Sequence, residues 1–256
     1  MTGFQASVLD VSASLDDEYV VACSTDQNKI MLFRTKTYNR LTTYMGHTDT
    51  INAVKCNYGK KGIVSASMDR TIRHWDMMTG KQQSVESCPH QIFNIDLSHS
   101  EAIMVSTHSK EMRIWNVKQG GEIHTIHNAH SDNVTCARFT SDERYIVSTG
   151  NDHIVKVWDV RKWQQLFTPG FEDQLFTNPY NCTSNKLCIS PNNRYVVVGS
   201  QTGAVIVLDI VKNKTCSIAE IYEDEHHYPV VGAEWMPNSS SFATVDKSGG
   251  LYLWKA

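Results

Sequence analysis

Six times along this chain a short apolar run ends in an aromatic or bulky residue, usually followed by a polar one: Phe33-Arg34, Trp75-Asp76, Trp115-Asn116, Trp158-Asp159, Leu208-Asp209 and Trp254-Lys255. Successive intervals are 42, 40, 43, 50 and 46 residues, the period of a four-stranded antiparallel unit that stacks on copies of itself. The 256 residues therefore read as about six such units in one all-β domain, residues 1–256. Alternation and turn residues place the units at 6–44, 51–86, 92–126, 134–167, 186–221 and 230–254, the last ending at its third strand.

Two copies are nearly complete: VSASMDRTIRHWD (Val64 to Asp76) and VSTGNDHIVKVWD (Val147 to Asp159). A His preceded by Gly or Ala stands 28 residues before each Trp, His47 for Trp75 and His130 for Trp158. Small and apolar residues, turns around Asp69 and Asp152, and a β-branched run into Trp describe a hairpin of two half-buried strands. Between the His and this hairpin lies another strand, Ile51 to Cys56 or Val134 to Phe139.

This pattern resembles the WD-repeat β-propeller family from about Ala6 to Trp254. The resemblance implies a buried hydrogen-bonded tetrad in each complete blade: His47, Ser65, Asp69 and Trp75 in one, His130, Ser148, Asp152 and Trp158 in the other. Indole only donates, ionised carboxylate only accepts, and hydroxyl and imidazole do both, so the four groups can satisfy one another away from water. A catalytic Ser-His-Asp reading is disfavoured, because the set recurs, is tied to Trp and lacks a nucleophile elbow. The remaining blades depart from the pattern. VSTHSKEMRIWN is one residue shorter, with Ser109 and Lys110 where Asp is expected; the stretch ending at Leu208 has Thr202 and no Trp; the first blade has Phe33. These blades are expected to rely on apolar packing and generic turns. ATVDKSGGLYLWK places Asp246 early, which argues against a tetrad in the last blade.

The last blade lacks a fourth strand, and only Met1 to Gln5 precede the first one. A propeller of this family either misses its first of seven blades here or closes as six blades with one of three strands. An unpaired edge strand is otherwise a liability.

The formal net charge of −3 creates no field for phosphate backbones, so direct nucleic-acid binding is not expected. No apolar run is long enough for a transmembrane helix and no secretory leader is evident. Seven cysteines without a CxxC pair read as reduced thiols, which suits a soluble cytoplasmic chain. His124, His127 and His130 have metal-like spacing, yet the first two fall on an edge strand and the third in a tetrad. Neither metal nor cofactor is expected, and no repeated set of acids or metal ligands suggests an enzyme.

Partners of this family most often dock on the loops leaving the fourth strand and those between the second and third. The candidate contacts there are Thr50, Asn52, Met68, Asn133, Thr135 and Asn151. The longest connection, residues 168–185, adds Phe171, Phe176 and Tyr180, and aromatic anchors dominate binding hot spots. The segment from Glu220 to Tyr228 mixes acids with His226 and His227 and reads as a solvated loop able to recruit a cation or a basic peptide.

The second half also resembles the carboxy-terminal propeller of the autophagy-related protein 16 family, in Thr168-Pro169-Gly170-Phe171, in Ser190 to Tyr195 followed by Gly199-Ser200, and in Val245-Asp246-Lys247 with Leu253-Trp254. That resemblance implies a non-catalytic docking scaffold that brings lipid-conjugation machinery to membranes or receptors, including the vacuolar proton pump, with membrane recruitment through partners. The alternative is a WD-repeat subunit of a ubiquitin-ligase, RNA-processing or trafficking complex. A phosphoinositide-binding propeller is disfavoured, since Phe33-Arg34-Thr35 is the only approach to the basic pair it needs.

Overall fold

The computed structural model describes residues 6–25, 28–57, 62–167, 186–210, 217–222, 226–237 and 241–255. Every regular element among them is a strand. They form six antiparallel meanders, the blades of the β-propeller class: five of four strands and a last one of three. The chain divides into two compact units, Met1–Thr125 and Ile126–Ala256.

The first unit holds three sheets. β1 to β4 (Val8–Ala13, Tyr19–Ser24, Lys29–Arg34, Arg40–Met45) pair in chain order. β5 to β8 (Ile51–Asn57, Gly62–Ser67, Thr71–Asp76, Gln82–Ser87) do the same, as do β9 to β12 (Asn94–Leu97, Ile103–Thr107, Met112–Asn116, Glu122–Ile126). The second strand of each sheet, YVVACS, GIVSAS and IMVST, is largely buried, while the outer strand β8 reads QQSVES and is largely exposed. The gap between the first two sheets is filled by Val21, Ile30, Leu32, Tyr44, Val54, Ile63 and Trp75. A second cluster, including Val64, Ile72, Ile95, Met104 and Trp115, joins the second sheet to the third.

The second unit contains β13 to β16 (Val134–Phe139, Tyr145–Gly150, Val155–Asp159, Gln164–Phe167), β17 to β20 (Cys188–Ile189, Tyr195–Gly199, Val205–Asp209, Ser217–Tyr222) and β21 to β23 (Val230–Trp235, Ser241–Asp246, Leu251–Lys255). Its cores follow the same plan. Val147, Val157, Val196 and Leu208 belong to one, and Val197, Val207, Trp235 and Phe242 to the other.

One irregularity recurs. The pairing of first with second strand slips by a residue between Val8 and Asp10, Ile51 and Ala53, Val134 and Cys136, and Val230 and Gly232. This is a β-bulge near the start of the innermost strand, which re-aims one side chain at each site. It falls on Asn52 and Thr135, and both consequences appear below.

Candidate interaction face

The register of each hairpin decides which polar atoms meet. Trp75 stands opposite Ile63, Trp158 opposite Ile146, Trp254 opposite Phe242 and Trp115 opposite Met104. The residue two places beyond that partner lies on the same face, within diagonal reach of an indole. In the four blades that residue is Ser65, Ser148, Thr244 and Ser106, and each hydroxyl accepts the indole N–H at 2.7 to 2.8 Å.

In the second blade the chain of bonds runs on. His47 Nε2 lies 2.7 Å from Ser65 Oγ and its Nδ1 lies 2.8 Å from Asp69 Oδ2. Because the indole must donate and the carboxylate must accept, only one polarity satisfies every group: Trp75 N–H to Ser65, Ser65 O–H to His47 Nε2, His47 Nδ1–H to Asp69. This requires neutral imidazole. Burial does lower the His47 pKa, against the opposing pull of Asp69. Burial would raise Asp69, but hydrogen bonds from Thr71, His47 and the Thr48 amide hold it below the ordinary carboxylate range.

The fourth blade repeats the arrangement. His130 bonds Ser148 at 2.8 Å and Asp152 at 2.8 Å, and Asp152 is drawn down to about 2, its burial outweighed by bonds from His130 and the amides of Ser131 and Ile154. No group of three His, Cys, Asp or Glu side chains placed to hold a metal ion occurs among the described residues, and His130, the last of the spaced histidines, is bonded to Ser148 and Asp152.

Two blades correct the sequence reading. In the last blade His226 is buried, not solvated, and bonds Thr244 Oγ1 at 2.7 Å and Asp246 Oδ2 at 2.9 Å. Asp246 comes two residues after the hydroxyl instead of four, yet still reaches the ring because Gly250 presents no Cβ; one built there would lie 2.7 Å from Asp246 Oδ2. The signal was present in the sequence: His226 precedes Trp254 by the same 28 residues as in the other two sets. The mixed segment from Glu220 to Tyr228 thus contains a structural histidine, and its first three residues lie in β20.

The third blade, for which only apolar packing was expected, builds a variant cluster. Ser106 accepts from Trp115 and bonds His108 Nε2 at 2.8 Å. The missing residue is absorbed in the β10–β11 turn, so the register of Ser106 against Trp115 is unchanged. His108 is fully buried and its pKa falls to about 4, chiefly through burial, with Arg113 lowering it further and Glu111 opposing. In the first and fifth blades Phe33 pairs with Val20 and Leu208 with Val196, and the diagonal positions are Ala22 and Val198. Both polar members are replaced together there, so neither is left stranded.

These clusters pin the loops beside them. The Met68 amide donates to the Thr50 carbonyl at 2.9 Å, Asn151 to Asn133 at 2.8 Å and Lys247 to Pro229 at 3.0 Å. Each bond joins the third residue after the His to the third residue after the hydroxyl. Thr50, Met68, Asn133 and Asn151 are part-exposed, on loops held from below. The last blade adds Pro229 and Lys247, missed in the sequence because its cluster was, with Tyr228 exposed beside them.

Two proposed contacts move. Thr135 sits at the bulge of β13, buried, and donates its hydroxyl to the Thr149 carbonyl at 3.2 Å. It offers no side chain to a partner. Asn52, at the matching bulge of β5, donates its side-chain amide to the Ile92 carbonyl at 2.8 Å, so it ties two blades together. Phe171, Phe176 and Tyr180 lie outside the described residues. No helix among the described residues is long and apolar enough to cross a membrane.

Two stretches, residues 38–76 and 120–159, match the family model described as WD domain, G-beta repeat. The chain is 26% identical over 98% of its length to Autophagy-related protein 16 of Arabidopsis thaliana, covering 48% of that protein. It is 25% identical over its whole length to Protein tipD of Dictyostelium discoideum, covering 41%. Over 75% of the chain it is 22% identical to Target of rapamycin complex subunit LST8 of Mus musculus, covering 56%. The chain thus spans about half the length of the curated relatives it matches.

Proposed function

We propose that this chain, a carrier of WD repeats, is a single non-catalytic docking module whose partners are proteins bound at the loops above its buried polar clusters. The observation that carries this reading is the use of the Ser, His and Asp groups. Each sits under a loop, each is consumed by bonds to its neighbours, and the serine hydroxyl is spent between an indole and an imidazole. A nucleophile needs an exposed hydroxyl with a base that is free to take its proton; here burial and Trp leave neither. The part-exposed side chains lie just above, on loops whose main chains are tied to each other, and such pre-ordered loops lose little entropy on binding.

The finer reading is a propeller of the autophagy-related protein 16 kind, acting in the cytoplasm to bring conjugation machinery to membranes or receptors through its partners. The similarity along nearly the whole chain supports it. Affinity purification of the tagged protein from its source cell, beside a variant with Thr50→Asp, Met68→Asp, Asn133→Asp and Asn151→Asp, tests both levels. Proteins recovered with the wild type and lost with a variant of equal melting temperature support the docking reading; autophagy conjugation proteins or proton-pump subunits among them support the finer one. An unchanged set of partners would move the binding surface elsewhere.

A further inference from the structure

The turn from third to fourth strand has one design in the first four blades. The amide of its fifth residue donates back to the carbonyl of its first: Tyr38 to Arg34 at 2.8 Å, Gly80 to Asp76 at 3.0 Å, Gly120 to Asn116 at 2.9 Å and Trp163 to Asp159 at 2.8 Å. Each fifth residue is left-handed, with φ from 54° at Trp163 to 76° at Gly120. The amides of the third and fourth residues are left over, and three blades satisfy them with the side chain of the first. Asp76 Oδ1 accepts the Met78 and Thr79 amides at 3.2 and 2.7 Å and the Thr79 hydroxyl at 2.7 Å. Asn116 Oδ1 accepts the Lys118 and Gln119 amides at 3.0 and 2.9 Å, and Asp159 Oδ1 those of Arg161 and Lys162 at 2.7 and 3.0 Å. These bonds favour a charged acceptor: the Thr79 amide, then its hydroxyl, hold Asp76 below the ordinary carboxylate range.

The first blade keeps the donors and lacks the acceptor. Its first turn residue is Arg34, whose side chain can only donate. The amides of Lys36 and Thr37 have no hydrogen bond among the described residues, and Thr37 holds the place of Thr79, so a hydroxyl stands with them. Neighbouring unpaired amides of this kind form a concavity for an anion. Arg34, Lys36 and Arg40 are exposed around it, and none of them forms an ion pair among the described residues. Exposed Asp17 and Glu18 belong to the adjoining β1–β2 turn, where the Glu18 carbonyl accepts the Thr35 amide at 2.9 Å. Those acids repel a continuous anionic surface, and three cations fall short of the about 4–8 that hold a segment to anionic lipid. A single carboxylate on a side chain fits, because this turn already receives that group from Asp76 and Asp159. Tyr38, 64% exposed at a left-handed position where two other blades have glycine, adds an aromatic contact of the type that dominates binding hot spots.

We propose that the β3–β4 turn of the first blade binds an Asp or Glu side chain of a partner protein, whose carboxylate accepts the Lys36 and Thr37 amides and the Thr37 hydroxyl while Arg34 supplies the counter-charge and Tyr38 packs on the neighbouring residue. This rests on the docking-module reading but uses the opposite strand ends from Thr50 and Met68, so the two fail separately.

The test is amide NMR of the full chain titrated with the blocked peptide acetyl-Ala-Asp-Leu-Ala-amide, against its Asn counterpart. Saturable shifts at the Lys36 and Thr37 amides with the Asp peptide alone are expected. Arg34→Gln should weaken binding about twofold to fivefold, the range of one exposed charge pair. Arg34→Asp, which supplies the missing acceptor from within, should abolish the response at an equal or higher melting temperature. Silent Lys36 and Thr37 amides up to the solubility limit, an equal response to the Asn peptide, or a response that survives Arg34→Asp would overturn the proposal. So would tighter binding of the phosphoserine counterpart, which would make the ligand a phosphate, or sedimentation with phosphatidylserine vesicles that Arg34→Asp removes, which would make it a lipid surface. If the turn is silent while the loop substitutions still abolish partner recovery, only the turn proposal fails.

Discussion

Replacing Ser65 by Ala removes one oxygen and strands two buried neighbours. The Trp75 indole N–H loses its only acceptor in the cluster, and His47 Nε2 loses the hydroxyl that donates to it. Ser65 is fully buried and Trp75 is 2% exposed, so the indole cannot turn to water. Each stranded buried group costs about 1–3 kcal/mol, so the two together cost about 2–6 kcal/mol. For a chain of this size that lowers the melting temperature by roughly 4–24 °C, at about 2–4 °C per kcal/mol. The assay is urea unfolding followed by tryptophan fluorescence, with m checked so that a change in midpoint is a change in stability. The same change in the last blade, Thr244→Val, should cost about 1–2 kcal/mol less, because Trp254 is only part-buried and its N–H can reach solvent. Equal losses at the two sites, or a loss below about 1 kcal/mol for Ser65→Ala, would refute the reasoning that these bonds are valuable through the desolvation of their members.

Further outcomes follow from the same structure. Since the His108 pKa is lowered to about 4, the folded chain favours neutral imidazole; its contribution is complete above about pH 6.5 and is lost as pH falls towards 4, up to about 3 kcal/mol at 1.36 kcal/mol per pKa unit. Denaturant midpoints at pH 7, 5 and 4 should decline, and His108→Gln should flatten that decline. Asp152, lowered to about 2, contributes stability that is complete above about pH 4 and disappears only as pH falls through 2, so a second acid phase in a titration extended to pH 2 should shrink in Asp152→Asn, with Asp69, also held low, supplying part of the remainder. Gly203→Ala should be among the most damaging small substitutions, seen as lost soluble expression or a large fall in melting temperature: the residue has a φ of 94° and a Cβ would lie 2.1 Å from the His226 carbonyl oxygen, a collision with backbone that only a chain shift relieves. The five described cysteines are buried, and burial raises Cys56 to about 11 and Cys88 to about 12. Native protein should leave these thiols unmodified by a thiol reagent that labels them readily in urea.

What the sequence made legible and what it hid have separate physical causes. Strand positions were readable because β-branched runs and turn residues are local signals, so the hairpin from Val64 to Asp76 lies where its pattern puts it. The clusters at His47 and His130 were visible through repeated spacing. His226 was hidden because its aspartate sits two residues early, a shift that only the glycine at 250 accommodates. Ser106 and His108 were hidden because a shortened turn disguised an unchanged register. Thr135 and Asn52 were misplaced for one common reason: a bulge breaks the alternation of strand faces, and nothing in the residues VTCARF or INAVKCN marks it.

The claim that partners meet the pinned loops, and not the blade edges, is tested most directly by a photo-crosslinking amino acid placed at Asn151 and, in a separate protein, at Leu166 on the exposed outer strand β16. Irradiation in the source cell should join a distinct partner protein to the Asn151 position and none to Leu166. The same adduct from Leu166, or none from Asn151 in a protein that melts like the wild type, would contradict the account.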